Sequence, residues 1–273
     1  MARGRAAKEA VATAVSLANS CPYCFTIHNA TFAGLSGNAI GSVADPRLRA
    51  IAAWAKDSGT REGAALHESA WSAGQVPELV GTAVLLHYFN RMVNVFLTQA
   101  PLPPGVPKMM LGPVMWVIDR RIRAAAGQLH QPGTSLELLP AAPLPGDLSW
   151  AAGNPVVADA FARAAAMVDA AGARSVPPSV RDLVAAEVGS WHGEHRGPAR
   201  AWAEDALSRL PAGDRPAGRL ALLTALASYQ VDRRVIDDFR SGGASDTALV
   251  ELASWASLTA ARRVGTWLPH RLE

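Results

Sequence analysis

Lysine is nearly absent from this 273-residue chain. Lys8, Lys56 and Lys108 are the only three among 26 basic residues, and the other 23 are arginine. The arginines are scattered among Ala, Asp and Glu, and the formal net charge is only +3. No block of about five or six like charges occurs, so the clustered basic face that a nucleic-acid partner requires is missing. Cysteine is scarcer still, with Cys21 and Cys24 alone. A chain of this length buries a core without disulfide staples, so two thiols three residues apart in a reducing compartment read as catalytic or metal-binding. Long apolar runs are also lacking. The most apolar stretch, 80–97, is interrupted by His87, Asn90, Arg91 and Asn94, short of the roughly 18 uninterrupted residues of a membrane span. The first residues carry no apolar leader segment. The expectation is therefore a cytoplasmic protein with no membrane partner.

What the chain does contain is 49% hydrophobic and 18% charged residues, the balance of a folded globular protein. Ala, Leu, Arg and Glu dominate, Gly and Pro gather at breaks, and no run of alternating β-branched residues marks a strand. The pattern predicts an all-α fold with helices over 5–19, 21–35, 46–57, 61–73, 77–97, 108–127, 155–171, 179–191, 198–209, 214–228, 231–240 and 246–267. Pro77 suits a first helical turn, and Ser245 offers an N-cap.

Two proline-rich breaks, 98–107 and 131–147, flank the predicted 108–127 helix, whose apolar side carries Met109, Met110, Met115, Trp116 and Ile118. Residues 98–149 thus read as a connector between a unit over 1–97 and one over 150–273. The two units look like diverged tandem repeats. The segment from Asp45 resembles that from Asp214, the helix end at Leu97 resembles that at Leu268, and Glu9 parallels Asp182. These matches keep one order at nearly one offset. The second unit has an extra leading helix, 155–171, where the first has eight residues before Glu9.

The chemistry concentrates between Glu9 and His28. Asn19-Ser20 reads as a helix stop followed by an N-cap, which puts Cys21 in the first turn of the next helix. At about 100° per residue, Cys21, Cys24 and His28 fall on one helical face, and Cys24 and His28 form an (i, i+4) pair. The positive end of a helix and a neighbouring imidazole both favour thiolate over thiol. A thiolate attacks a peroxide to give a sulfenic acid, which a second thiol resolves to a disulfide. Glu9 can take or relay the proton if its helix packs antiparallel to the next. Two blander readings stay open at this point: a zinc site with Glu9 as fourth ligand, and an inert pair of buried thiols.

Glu9, eleven residues, Cys21, two residues, Cys24, three residues and His28 resemble the Glu-x11-Cys-x2-Cys-x3-His signature of the AhpD-like alkylhydroperoxidases, within the wider carboxymuconolactone decarboxylase family. Phe32-Ala-Gly-Leu-Ser-Gly37 is similar to the family's loop after the Cys helix, and His87-Tyr-Phe-Asn-Arg91 to its last helix. The resemblance covers residues 5–97. It implies an all-helical homo-oligomer that reduces a small hydroperoxide and is itself reduced by a dithiol partner such as a lipoyl domain, with no metal and no cofactor. Carried over, Cys24 is the peroxide-attacking thiol, Cys21 the resolving thiol, and Glu9 and His28 the proton relay. Tyr23 stands where family members often carry a histidine. At the corresponding positions of the second unit stand Asp182, Glu194, Gly197 and Ala201, so that unit is expected to be catalytically silent and to serve as a built-in partner. Rival functions are a thiol–disulfide oxidoreductase of another substrate, a non-enzymatic binding or assembly protein, and a lactone decarboxylase.

Elsewhere, Tyr23 and the stripe His87, Asn90, Asn94 are candidate pocket residues, with a helix-end or subunit contact the competing reading for the stripe. His67 and Trp71 read as packing, and His192 and His195 as a surface pair flanking Glu194.

Overall fold

The computed structural model describes residues 2–67, 71–97, 111–125 and 131–268. Among them are twelve α-helices: α1 (Ala2–Ala18), α2 (Pro22–Ser36), α3 (Pro46–Asp57), α4 (Arg61–Ala65), α5 (Val76–Phe96), α6 (Leu111–Ala125), α7 (Pro155–Ser175), α8 (Pro178–Ser190), α9 (Ala201–Leu207), α10 (Arg215–Ala227), α11 (Arg233–Ser241) and α12 (Asp246–Gly265). No strand occurs among the described residues, so the all-α expectation holds. The helix starts carry their own chemistry. Proline opens α2, α3, α7 and α8, where its missing N–H costs nothing. Asp45, Asn154 and Ser245 accept from free backbone N–H groups of the first turn. Gly37 ends α2 at φ +78, a left-handed conformation that suits glycine.

Two predicted helices shorten. The 61–73 pattern stops at Ala65, and Trp71 instead sets its ring edge-on to Trp54 at 4.5 Å. Burying that indole outweighs the local propensity to continue. The 198–209 pattern begins only at Ala201, after Gly197 turns at φ +65. In the connector, Met109, Met110 and the side chain of Met115 lie outside the described residues. Trp116 is exposed rather than packed, with the Arg120 guanidinium 5.5 Å over its ring.

Helix α1 packs against α2, α3 and α5, and α5 packs against α12, which also lies on α7 and α10. The apolar cluster is continuous across this junction, from Trp54, Phe32 and Leu79 through Trp150 to Leu220 and Leu252. Polar ties cross it in both directions. Arg91 Nε on α5 donates to Ala225 O at the end of α10 (2.8 Å), and Trp267 Nε1 donates to Ser58 O after α3 (3.1 Å). Arg61 N donates to His192 O (2.8 Å), and the hydroxyls of Tyr88 and Ser254 meet at 2.9 Å. Gly193, at φ +97, lies so close to Gly59 that a Cβ there would stand 2.1 Å from the Gly59 carbonyl oxygen. No helix among the described residues is long and apolar enough to cross a membrane.

Candidate active site

The turn between α1 and α2 differs from the sequence expectation by one residue. Ser20 adopts φ +51, and Cys21, not Ser20, is the N-cap of α2. Pro22 is the reason: it fills the first helical position, which makes the preceding residue the cap. Cys24 then falls in the first turn, at the positive end of the helix.

The two sulfurs face one another, with Cys21 Sγ 2.8 Å from Cys24 Sγ and its S–H directed at it. Both are free thiols and nearly out of solvent, at 1% and 6% exposure. They are electrostatically unequal. The Cys21 S–H donates to Cys24, Asn90 adds a hydrogen bond and His28 adds positive charge, and together these outweigh burial and bring Cys24 down to about 7. Cys21, which gives its proton toward Cys24 and is also desolvated, is held well above the ordinary thiol range.

Glu9 on α1 and His28 on α2 meet directly, Oε2 to Nδ1, at 2.9 Å. Both are partly buried, with side chains 17% and 28% exposed. The four residues singled out by spacing thus form two bonded pairs where α1 meets α2.

The polar stripe of α5 divides. Asn90 is fully buried beside the thiols, accepting from Asn19 Nδ2 (2.9 Å) and donating to Ser16 Oγ (3.1 Å). Asn94 donates to Ser228 Oγ (3.1 Å). It lines a cleft of about 670 Å³ with Cys21, Tyr23, Phe25 and Leu97. His87 does not reach that cleft. It is wholly buried, 3.0 Å from Asn19 Nδ2 and 3.2 Å from Ser58 Oγ, and desolvation with the nearby Arg91 charge keeps its pKa well below the usual histidine range. His67 and Trp71 separate, His67 pairing with Asp57 at 2.8 Å. Around the cleft the sequence reading missed Tyr229 and Val231, which line it from the segment between α10 and α11. No local pattern marks them, because more than 200 residues of chain separate them from Cys21. Ser16 and Asn19, which hold Asn90, carried a weak signal: polar residues in and just after the apolar run that ends α1.

No family model and no solved structure matches the chain. It is 36% identical over 277 residues to the Mycobacterium tuberculosis (strain ATCC 25618 / H37Rv) protein called alkyl hydroperoxide reductase Rv2159c, an alignment that covers 97% of this chain and 77% of that relative. With that identity along nearly the whole sequence, and with the Cys21–Cys24 and Glu9–His28 pairs formed where α1 meets α2, the chain belongs to the AhpD-like alkylhydroperoxidase family.

Proposed function

We propose that the protein reduces a small organic hydroperoxide through the Cys21–Cys24 pair, with Glu9 and His28 as its proton relay. The observation that carries this reading is the 2.8 Å approach of two free thiols, one pulled toward the thiolate, beside a Glu9–His28 hydrogen bond of 2.9 Å. The name of the relative, an alkyl hydroperoxide reductase, points the same way.

The chemistry balances in three steps. Cys24 passes its proton to His28, supported by Glu9, and the thiolate attacks the outer oxygen of the peroxide. The O–O bond breaks, Cys24 becomes a sulfenic acid, and the departing alkoxide recovers the proton as an alcohol. Cys21 then attacks the sulfenic sulfur, forming the Cys21–Cys24 disulfide and releasing water. A dithiol reductant reopens it by exchange, leaving as a disulfide. Cys21, on the cleft wall, is the sulfur that meets the reductant. Tyr23, in the place of the family histidine, shapes the cleft without adding a base.

The second unit acts as a built-in partner subunit. Its support is the continuous core across α5 and α12 and the contribution of Tyr229 and Val231 to the thiol cleft. The helix order α1–α5 is followed by α8–α12 in comparable sequence, as two diverged repeats require.

The test is dithiol-dependent consumption of an alkyl hydroperoxide by the full chain beside Cys24→Ser and Cys21→Ser. Loss of turnover in both, with one sulfenic acid trapped in Cys21→Ser, supports the reading. Turnover that survives both changes, or wild-type thiols that resist peroxide, would favour a binding protein or another reaction.

A further inference from the structure

Where the two units meet, the chain encloses a second cavity, of about 230 Å³, that the thiol chemistry does not use. Asn19, His87, Arg91, Trp191 and Leu226 are among the residues that line it. Arg91 is its unusual member. The residue is 7% exposed, and its guanidinium lies 5.8 Å from the centre of the Trp191 ring. Nε donates to Ala225 O and Nη1 to His87 O, while Nη2 makes no hydrogen bond among the described residues. No carboxylate pairs with it there. Burial pulls its pKa down to about 10. A buried cation is normally paired, because desolvation without a counter-charge is costly.

The acidic side chains at the cavity are committed elsewhere. Asp57 holds His67 at 2.8 Å, and Glu194 accepts from His192 N at 2.9 Å and faces Arg196 at 3.5 Å. Lys56, exposed at the rim, forms no ion pair among the described residues. Among the described residues the cavity therefore holds a buried guanidinium without an ion-pair partner, beside an indole and an aliphatic side chain.

We propose that this cavity binds a small organic carboxylate of about benzoate size, its carboxylate on Arg91 Nη2 and its apolar body between Trp191 and Leu226. The size fits, since a dry cavity of about 150 Å³ is known to hold benzene, which leaves room here for a carboxylate as well. One free guanidinium amine beside an apolar wall suits a monoanion, whereas a phosphate dianion calls for several converging donors. The bound molecule would rest against Asn19 and Ser20, the turn that leads into Cys21.

Calorimetric titration of the reduced full chain tests this with sodium benzoate, benzamide and inorganic phosphate. Benzoate is expected to bind saturably at one site, with benzamide and phosphate weaker by at least about tenfold. Arg91→Gln should weaken benzoate by a similar factor. Because that change also removes the side-chain hydrogen bonds to Ala225 O and His87 O, Ala18→Phe supplies an independent arm: Ala18 is an exposed cavity-lining residue at the end of α1. The new ring should block entry while the melting temperature stays unchanged. Cys24→Ser should bind benzoate like the wild type, which separates this site from the thiol chemistry. Absence of saturable benzoate binding, equal affinity for benzamide, tighter phosphate binding, or undiminished benzoate binding by Ala18→Phe would overturn the assignment.

Discussion

The Glu9 carboxylate and the His28 imidazole join α1 to α2 across 2.9 Å, one helical turn beyond Cys24. On the proposed mechanism this bond lets the imidazole receive the thiol proton and keep its positive charge near sulfur. Glu9→Gln keeps the shape and removes the charge. Dithiol-dependent peroxide turnover should fall by about 100-fold, within the usual range for losing a proton relay. An unchanged rate in a steady-state assay would remove Glu9 from the reaction.

The thiols should titrate separately. The Cys24 thiolate forms as pH rises through about 7, so alkylation of the first thiol should accelerate over that range and level off above it. Cys21, held above the ordinary thiol range, should react later. The Cys21 S–H is the largest influence lowering Cys24, so Cys21→Ala should move the first midpoint upward. Mass-resolved iodoacetamide kinetics against pH read both effects.

Asn90 links the site to the core. Replacement by Asp is nearly isosteric but sets a negative group beside a forming thiolate. The Cys24 midpoint should rise and alkylation at neutral pH should slow. Asn90→Ala instead takes an acceptor from Asn19 and a donor from Ser16, costing about 1–3 kcal/mol in urea unfolding.

His87 makes stability depend on acidity. Folded, it stays neutral well below its ordinary 6.5, while the unfolded chain protonates it near that value. Above pH 6.5 neither state binds the proton and nothing is lost. As pH falls below 6.5 the unfolded state gains it alone, so stability should drop by up to about 1.4 kcal/mol per pH unit until the folded pKa is reached. Urea midpoints measured from neutral to mildly acidic pH should show a steeper fall for wild type than for His87→Asn.

Gly193 tests the contact between the segment after α8 and the turn between α3 and α4. Alanine there meets both a positive φ and a carbonyl oxygen 2.1 Å from the added carbon. A loss of about 2–4 kcal/mol is expected, measured by denaturant unfolding, since backbone rather than a flexible side chain must move.

By itself the sequence determined where the helices lie and which four residues could do redox chemistry. Proline, Asp, Asn and Ser at the helix starts act through the backbone of the next few residues, and Glu9, Cys21, Cys24 and His28 are fixed by spacing within two adjacent helices. The one-residue shift at Cys21 was legible too, in the preference of Pro22 for the first helical position. Tertiary structure decided the rest. Helical periodicity set His87, Asn90, Arg91 and Asn94 on one stripe, but not what each would face. The packing of α5 against α1, α10 and α12 sent Asn90 and Asn94 toward the thiols, and His87 and Arg91 toward a separate cavity. The closure of the cleft by Tyr229, and the lack of an ion-pair partner for Arg91 among the described residues, depend on contacts between segments far apart in the chain. Such contacts arise from the burial of whole helix faces, which no local pattern encodes.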